Sequence, residues 1–467
     1  MTSSVTSSIA SDQQRLWWQR SIARRTEAYL AESISKVAAR SRFLNTHSNK
    51  NRTALFDRHE VVKGHRLGKG AFNEVYQVRG FRLTSQDDIS FEQQEARILV
   101  QGTAIDDSGR CRYVVKHLRK HMVSNRKKFH HAAADLMIEA RFLSKLNHTN
   151  IVAIRGWSRL GISSYSEGNH DGFFLILDRV DETLGTRIER QRQEKSKPND
   201  HTEALTFALQ IASALDYLHD NGIIYRDLKP ENIGIQRDNT VKLFDFGLCR
   251  ELPAGFSSPD SNELFLMTAV GTRRYMAPEV FLRLGYNLKA DVYSWAIVFY
   301  EMLSLQTPFD MYNCELHQML VCEEGHRPKL NPEWPSEIQQ LLMDAWTQES
   351  SRRLPIKTVY RELQYLIGGF DTGNSQTLAG IELHYDVAEE AVELHYGMVE
   401  QTIHSEQRRF DMVEEAVQLE RRLPERPRFD MADEYSLPSC NSFTTEFTSS
   451  TAPSTSDSSK DDSLFYL

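Results

Sequence analysis

Cysteine is scarce in this chain. Its 467 residues hold five, Cys111, Cys249, Cys314, Cys322 and Cys440, with no paired spacing. Such a scatter in a long chain excludes a disulfide framework and a zinc-ligand pattern, and suits a reducing compartment. Long apolar runs are missing as well: no stretch approaches the roughly 20 apolar residues that a membrane-crossing helix needs. The opening "MTSSVTSSIASDQQ" has no basic region followed by an apolar one, so no secretory signal is expected. These absences make a cytoplasmic protein the expectation, with the nucleus left open. An excess of positive charge is also lacking. The net charge of −8 argues against a general nucleic-acid binder, and no nucleic-acid partner is expected.

The charge that is present is unevenly placed. Residues 1–56 carry nine Lys/Arg against three Asp/Glu, whereas residues 369–467 carry seven against twenty. The first dozen residues are Ser/Thr-rich and read as disordered. Arg15–Phe43 then sets apolar and basic residues at helical spacing, with Trp18, Ile22, Tyr29 and Leu30 available for one face. This N-terminal extension, 1–56, is expected to dock on protein or simply to extend the fold. A peripheral membrane contact over 15–43 and an Arg-rich transit segment are the other readings.

From about Phe56 the texture is that of short β-branched runs. Strands are predicted at Glu74–Val78, Arg112–Leu118 and Phe173–Val180. Helices are predicted at Ala132–Leu146, at Glu203–Gly222 with Gly222 as its C-cap, and at Lys289–Ser304. A strand-rich beginning and a helix-rich remainder imply two lobes and an α+β class. After Gly368 an acidic region, 369–435, repeats "ELHY" at Glu382 and Glu393. The eleven-residue interval returns similar side chains to nearly one helix face, which makes this region a candidate surface for a protein partner. Residues 436–467 are rich in Ser, Thr and Asp and read as a disordered tail.

Three stretches carry chemistry. In "LGKGAFNEVYQV" (Leu67–Val78), Gly68 and Gly70 precede a β-branched segment, and glycines let backbone approach phosphate oxygens, although a plain turn fits as well. Lys116 lies in the apolar "VVKHL", where a charge needs compensation; Glu139 on the following helix could provide it, or the lysine could snorkel. In "NGIIYRDLKPENIGIQRDNTVKLFDFGLC" (Asn221–Cys249), Asp227 could accept a proton from a hydroxyl and Lys229 could neutralise a transferred phosphoryl group. Asn232 and Asp245 are hard oxygen ligands of the kind Mg²⁺ takes. A solvated turn with capping aspartates explains one or two of these residues but not the set.

The ordered series "GKGAFNEV", "VVK", Glu139, "YRDLKPEN", "DFG" (Asp245–Gly247), "GTRRYMAPE" (Gly271–Glu279), "DVYSW" (Asp291–Trp295) and Arg353 resembles the eukaryotic protein kinases over roughly residues 60–368. The resemblance implies a bilobal fold over 57–368, with a small β-rich N-lobe (about 57–180) and a larger helical C-lobe (about 181–368). It implies ATP and Mg²⁺, protein substrates, and phosphotransfer to serine or threonine in signalling. Gly68 and Gly70 would cover the phosphates, and Lys116 would hold them while pairing with Glu139. Asp227 would be the base, Lys229 a γ-phosphate contact, and Asn232 and Asp245 the metal ligands. Val75 and Val114 would sandwich the adenine, Leu177 would be the gatekeeper, and the backbone from Asp178 to Val180 the hinge. Asp291 would brace the catalytic loop and Glu279 would pair with Arg353. "DLKPEN" and "GTRRYMAPE" resemble Ser/Thr kinases, while "DVYSWAIVFYEML" has the flavour of the tyrosine-kinase-like group.

Four positions depart from that pattern. Asn73 replaces the third loop glycine, and Tyr225 replaces a histidine in a place that suits packing on Phe246. Gly234 stands where a large apolar side chain normally lies under the adenine, a loss of about 1–3 kcal/mol of contact unless a neighbour fills in. Ser85–Arg110 is an insertion, read as a surface excursion or a docking site. The weakened adenine floor and the flanks leave a second reading, a feeble kinase-like scaffold. For regulation, Arg226 needs an anionic partner, with Thr268 the candidate phosphosite and Ser257, Ser258 and Ser261 behind it. Thr272 is expected to orient Asp227.

Overall fold

The computed structural model describes residues 25–371 except 40, 47–52, 85–88, 166–168, 195–200 and 254–257. Residues 1–24, and so Trp18 and Ile22 of the predicted N-terminal helix, the acidic region beyond Asp371, the terminal tail and Ser257 therefore lie outside the described residues. A six-stranded sheet carries the first half. In chain order its strands are β1 (Ala54–Phe56), β2 (Val61–Lys69), β3 (Asn73–Phe81), β4 (Tyr113–Leu118), β5 (Ile154–Ser158) and β6 (Phe174–Asp178), and in space they run β1-β5-β6-β4-β3-β2. The predicted strands lie within one to three residues of β3, β4 and β6.

Because side chains alternate along a strand, the sheet separates two cores. Val114 pairs across from Leu177 and Lys116 from Leu175. Val114, Leu175 and Leu177 belong to the main core shared with the helices. Val115, Phe174 and Ile176 turn the other way, into a smaller cluster with Phe56, Val78 and Phe81.

Two helices attach to this sheet, α3 (Phe91–Gly102) and α4 (Arg126–Leu143), and two earlier ones, α1 (residues 25–39) and α2 (Arg42–Thr46), pack on α4. The insertion is more than an excursion. Its helix α3 is capped by Ser90, whose side chain accepts from the Gln93 N–H. It closes the smaller core with Ala96 and Val100, and its buried Arg97 pairs with the buried Glu60. Phe91, Ile98 and Leu99 remain exposed. Helix α4 starts six residues before its predicted position because the Asn125 side chain accepts from Lys128 N–H at 3.1 Å and caps it there.

Of the N-terminal extension, α1 and α2 dock on protein. Leu30, Ile34 and Phe43 are buried in the main core, Tyr29 stacks on His130 of α4 at 5.0 Å and Phe43 on Phe142 at 6.1 Å. The carboxylate of Glu251 accepts from Ser41 Oγ–H and from the backbone N–H groups of Arg42 and Phe43 (2.8 and 3.1 Å). Glu251 therefore caps α2 from outside that helix.

The second half is helical. Thr202–Asp220 and Lys289–Ser304 lie within about two residues of their expected positions. Helix Lys289–Ser304 is apolar nearly all round, as buried helices are, and Trp295 at its centre donates to the Ala208 carbonyl at 3.1 Å. Asn221 is the C-cap of the earlier helix, and Gly222 follows with φ 69°, a conformation that glycine adopts without a Cβ penalty. No helix of the described residues is long and apolar enough to cross a membrane.

Candidate active site

Lys116, on β4, points into the main core, where an unpaired ammonium would be costly. Its Nζ lies 2.8 and 2.6 Å from the two oxygens of Glu139 on α4 and 2.8 Å from Asp245 Oδ1. Lys116 and Glu139 are almost fully buried, whereas the Asp245 side chain is 45% exposed and opens to the cleft. Burial opposes the charge on Lys116, yet the two carboxylates outweigh it and hold the ammonium above its ordinary range. Burial also pushes the Glu139 carboxyl up, and Asp245 adds to the push. The two shifts differ in origin: burial leads for Glu139, whereas for Lys116 the two carboxylates overcome burial. Asp245 is more accessible to water, and Lys116 with Lys229 overcomes burial and keeps it below the usual carboxylate value.

The second cluster sits on the loop after Ile223–Ile224. Lys229 Nζ donates to Asp227 Oδ2 (2.8 Å) and to Thr272 Oγ1 (2.8 Å), and Thr272 Oγ1–H donates to Asp227 Oδ1 (2.7 Å). Thr272 thus bonds to the carboxylate of Asp227 and fixes its rotamer. Asn232 Nδ2 donates to Asp227 O and Oδ2 at 2.9 and 3.0 Å, which leaves its carbonyl oxygen to accept a cation. Burial raises the Asp227 carboxyl, partly offset by Lys229 and Thr272. Asn232 and Asp245 thus form a neutral-plus-anionic oxygen pair that fits Mg²⁺, a hard cation that keeps water and phosphate oxygens as its other ligands.

Val75, Val114 and Leu177, which the resemblance placed around the adenine, lie on neighbouring strands, with Asp178 to Val180 leading to the second lobe. Val75 lies opposite Lys116, Val114 and Leu177 are buried, and Asp178 is held by Arg155 at 2.7 and 2.8 Å. Gly234 has a physical reason that sequence reading left open. A Cβ at this position would come within 2.4 Å of Val180 Cγ1, so the Val180 side chain already occupies that space. Gly68 and Gly70 differ: an added Cβ would meet only ordinary 3.7 Å contacts. Their missing side chains are not forced by packing within the protein, and they keep the strand backbone open for a ligand.

Several residues hold these groups in place. Asp291 accepts from the Tyr225 and Arg226 N–H groups, both at 2.8 Å, and lies 3.0 Å from His219 Nε2. Tyr225 packs edge-on against Phe246 at 5.3 Å and donates its hydroxyl to the Phe244 carbonyl. Arg353 forks onto Glu279 at 2.7 and 3.1 Å. Arg226 donates to the Leu248 carbonyl (2.6 Å) and Tyr286 Oη (3.4 Å), and Tyr286 in turn donates to the Thr268 carbonyl (2.7 Å). One tyrosine thus links Arg226 to Thr268, which is exposed.

The protein kinase domain profile matches residues 102–364, more than half of the chain. The chain belongs to the protein kinase domain family. Serine/threonine-protein kinase Sgk3 of Rattus norvegicus is 35% identical over 219 residues, 46% of this chain and 40% of its own length. cAMP-dependent protein kinase type 3 of Saccharomyces cerevisiae is 31% identical over 242 residues, 52% of this chain and 54% of its own. Serine/threonine-protein kinase Nek4 of Mus musculus is 29% identical over 252 residues, 54% of this chain and 29% of its own. The chain spans about half or less of the length of these relatives. Its architecture, a β-sheet lobe and a helical lobe, is the bilobal α+β kinase fold. Val180 was expected to lend only its backbone to the hinge; its side chain also packs against Gly234, which sequence reading did not foresee. The available signal was a glycine at 234 facing a β-branched hinge residue.

Proposed function

We propose that the chain is a protein serine/threonine kinase that transfers the γ-phosphoryl group of ATP to hydroxyls of protein substrates in signalling. One observation carries this reading: Lys116, Glu139 and Asp245 on one side and Asp227, Lys229 and Asn232 on the other form two interlocked clusters. Asp227 takes the proton of the incoming hydroxyl, with Thr272 and Asn232 fixing the carboxylate. Lys229 supplies positive charge beside it, and Lys116, held by Glu139, anchors the phosphates under Gly68 and Gly70. Asn232 and Asp245 would hold Mg²⁺, which when bound neutralises charge on the transferred group. Val75, Val114, Leu177 and the hinge from Asp178 to Val180 take the adenine. The feeble-scaffold reading loses its main support, because Val180 occupies the space above Gly234.

The decisive assay is phosphate incorporation into a peptide library by wild type and Asp227→Asn. A loss of about 10²-fold or more in kcat with serine or threonine as acceptor is expected; equal rates would sink the proposal. The finer placement in the tyrosine-kinase-like group rests on "DVYSWAIVFYEML" and "VVKHL", and the relatives named above do not decide it. A cytoplasmic location is supported by the free thiols Cys111, Cys249, Cys314 and Cys322. Thr268 as the activating phosphosite is supported by the Arg226–Tyr286–Thr268 link, and Thr268→Ala is expected to lower the activity of autophosphorylated protein. The acidic region 369–435 remains the proposed surface for a protein partner.

A further inference from the structure

Beside the hinge, a cavity of about 530 Å³ is walled by the end of the insertion, the segment Asp178–Asp181 and the turn Gln236–Asp238. It shares Asp178 and Arg179 with the hinge segment proposed to take the adenine. Six cations line it, Arg110, Arg112, Arg155, Arg179, Arg237 and Lys242, against four carboxylates.

The carboxylates are already engaged. Asp178 is forked by Arg155 at 2.7 and 2.8 Å. Asp181 pairs with Arg110 and lies 3.8 Å from Arg237. Asp106 accepts the Ser108 and Arg110 N–H groups, both at 2.9 Å, and Asp238 accepts Thr240 N–H at 2.9 Å, so both cap their own loops. Arg112, Arg179 and Lys242 make no ion pair within 4 Å among the described residues, and Lys242 Nζ donates to the Thr149 carbonyl at 2.5 Å. The Arg179 Nε–H is buried and has no hydrogen-bond partner. An orphaned guanidinium donor beside like charges is unfavourable unless an anion completes it. Burial, with the charges of Arg179 and Arg237, pulls Arg110 below its ordinary value, the mark of that crowding.

We propose that this cavity is a second anion site, which binds a phosphorylated small molecule through Arg112, Arg179 and Lys242. Planar guanidinium forks match phosphate oxygens two at a time. The volume falls in the range of sites for small ligands, about 300–1,000 Å³, and the surplus of two positive charges matches one phosphate group of about −1.5 to −2. The phosphate can come from a free polyphosphorylated metabolite or from a lipid headgroup.

The test uses the full chain with its nucleotide site saturated by a non-hydrolysable ATP analogue. Inorganic tripolyphosphate is titrated by calorimetry against wild type, Arg112→Ala, Arg179→Ala and Lys357→Ala, with melting temperatures alongside. Saturable binding is expected, weakened about tenfold or more in the first two variants and unchanged in Lys357→Ala. Because the Arg112 side chain is exposed, that variant tests the site even where Arg179→Ala unfolds. Sedimentation with phosphatidylcholine vesicles, with and without phosphatidylinositol bisphosphate, separates the sources. Lipid-dependent binding lost in Arg112→Ala supports the site and names a headgroup; tripolyphosphate binding alone supports it and names a free anion. No saturable binding to either probe, or equal binding by Arg112→Ala and Lys357→Ala, overturns it.

Discussion

A carboxylate that must take a proton works only when ionised, so the environment of Asp227 sets the acid side of the rate profile. Burial raises its pKa above the ordinary 3.8, while Lys229 and the Thr272 hydroxyl pull it back. Activity should therefore fall as pH drops through a value above 3.8. Lys229→Ala removes the largest downward influence, and the acid limb of kcat/KM should move to higher pH as well as the maximum falling; a limb that stays put would show that another group titrates. Gly234 offers a second test at this scale. Gly234→Ala forces a Cβ into Val180, and the strain should raise the KM for ATP and cost about 1–3 kcal/mol of stability, as overpacking does. Gly234→Ala with Val180→Ala should recover most of both, read in urea melts and ATP titrations. Asp227, Asp245, Lys116, Lys229 and Asn232 stood out in the sequence because phosphoryl chemistry calls for those residue types in that order. The Gly234–Val180 fit was not, because complementarity between side chains 54 positions apart leaves no periodic signal.

Among the elements, α1 and α2 reach both sides of the site. They pack on α4, which carries Glu139, and α2 is capped by Glu251, six residues beyond Asp245. Phe43→Ala empties a buried position against Phe142 and should cost about 3–5 kcal/mol locally. Glu251→Gln weakens three hydrogen bonds to a charged acceptor, each about 1.5–3 kcal/mol. Both variants should free α1 and α2 to trypsin and lower kcat through a looser Lys116–Glu139 pair. Faster proteolysis with unchanged kcat would show that these helices cover α4 without positioning it. The apolar faces of Tyr29 and Leu30 were legible as a helix in search of a surface, but the surface itself was not. Strands β3, β4 and β6 and the helix Lys289–Ser304 stood out from runs of β-branched and apolar residues. Helix α3 was hidden because its only buried side chains, Ala96, Arg97 and Val100, include a charge whose partner lies 37 residues away.

For the whole molecule, order in the C-lobe depends on charges buried far apart in sequence. Arg353 is 1% exposed, yet it satisfies Glu279, the Lys289 carbonyl and the Thr347 carbonyl and stacks over Tyr293 at 5.3 Å. One side chain thereby ties together the short helix Pro278–Phe281, the start of helix Lys289–Ser304 and the approach to helix Ile356–Asp371. Removing a partner from a buried pair costs far more than the pair contributes, about 3–5 kcal/mol, because a bare charge stays inside. Arg353→Ala should therefore lower the melting temperature by about 10 °C in a domain of this size. Arg353→Met with Glu279→Leu removes both charges at similar volume and should melt closer to wild type than Arg353→Ala. That ordering separates an electrostatic penalty from lost packing, since a purely steric role for Arg353 would leave the double variant at least as unstable as Arg353→Ala. Lys116, Asp227 and Asp245 touch none of these atoms, so below its melting temperature Arg353→Ala should keep the wild-type KM for ATP.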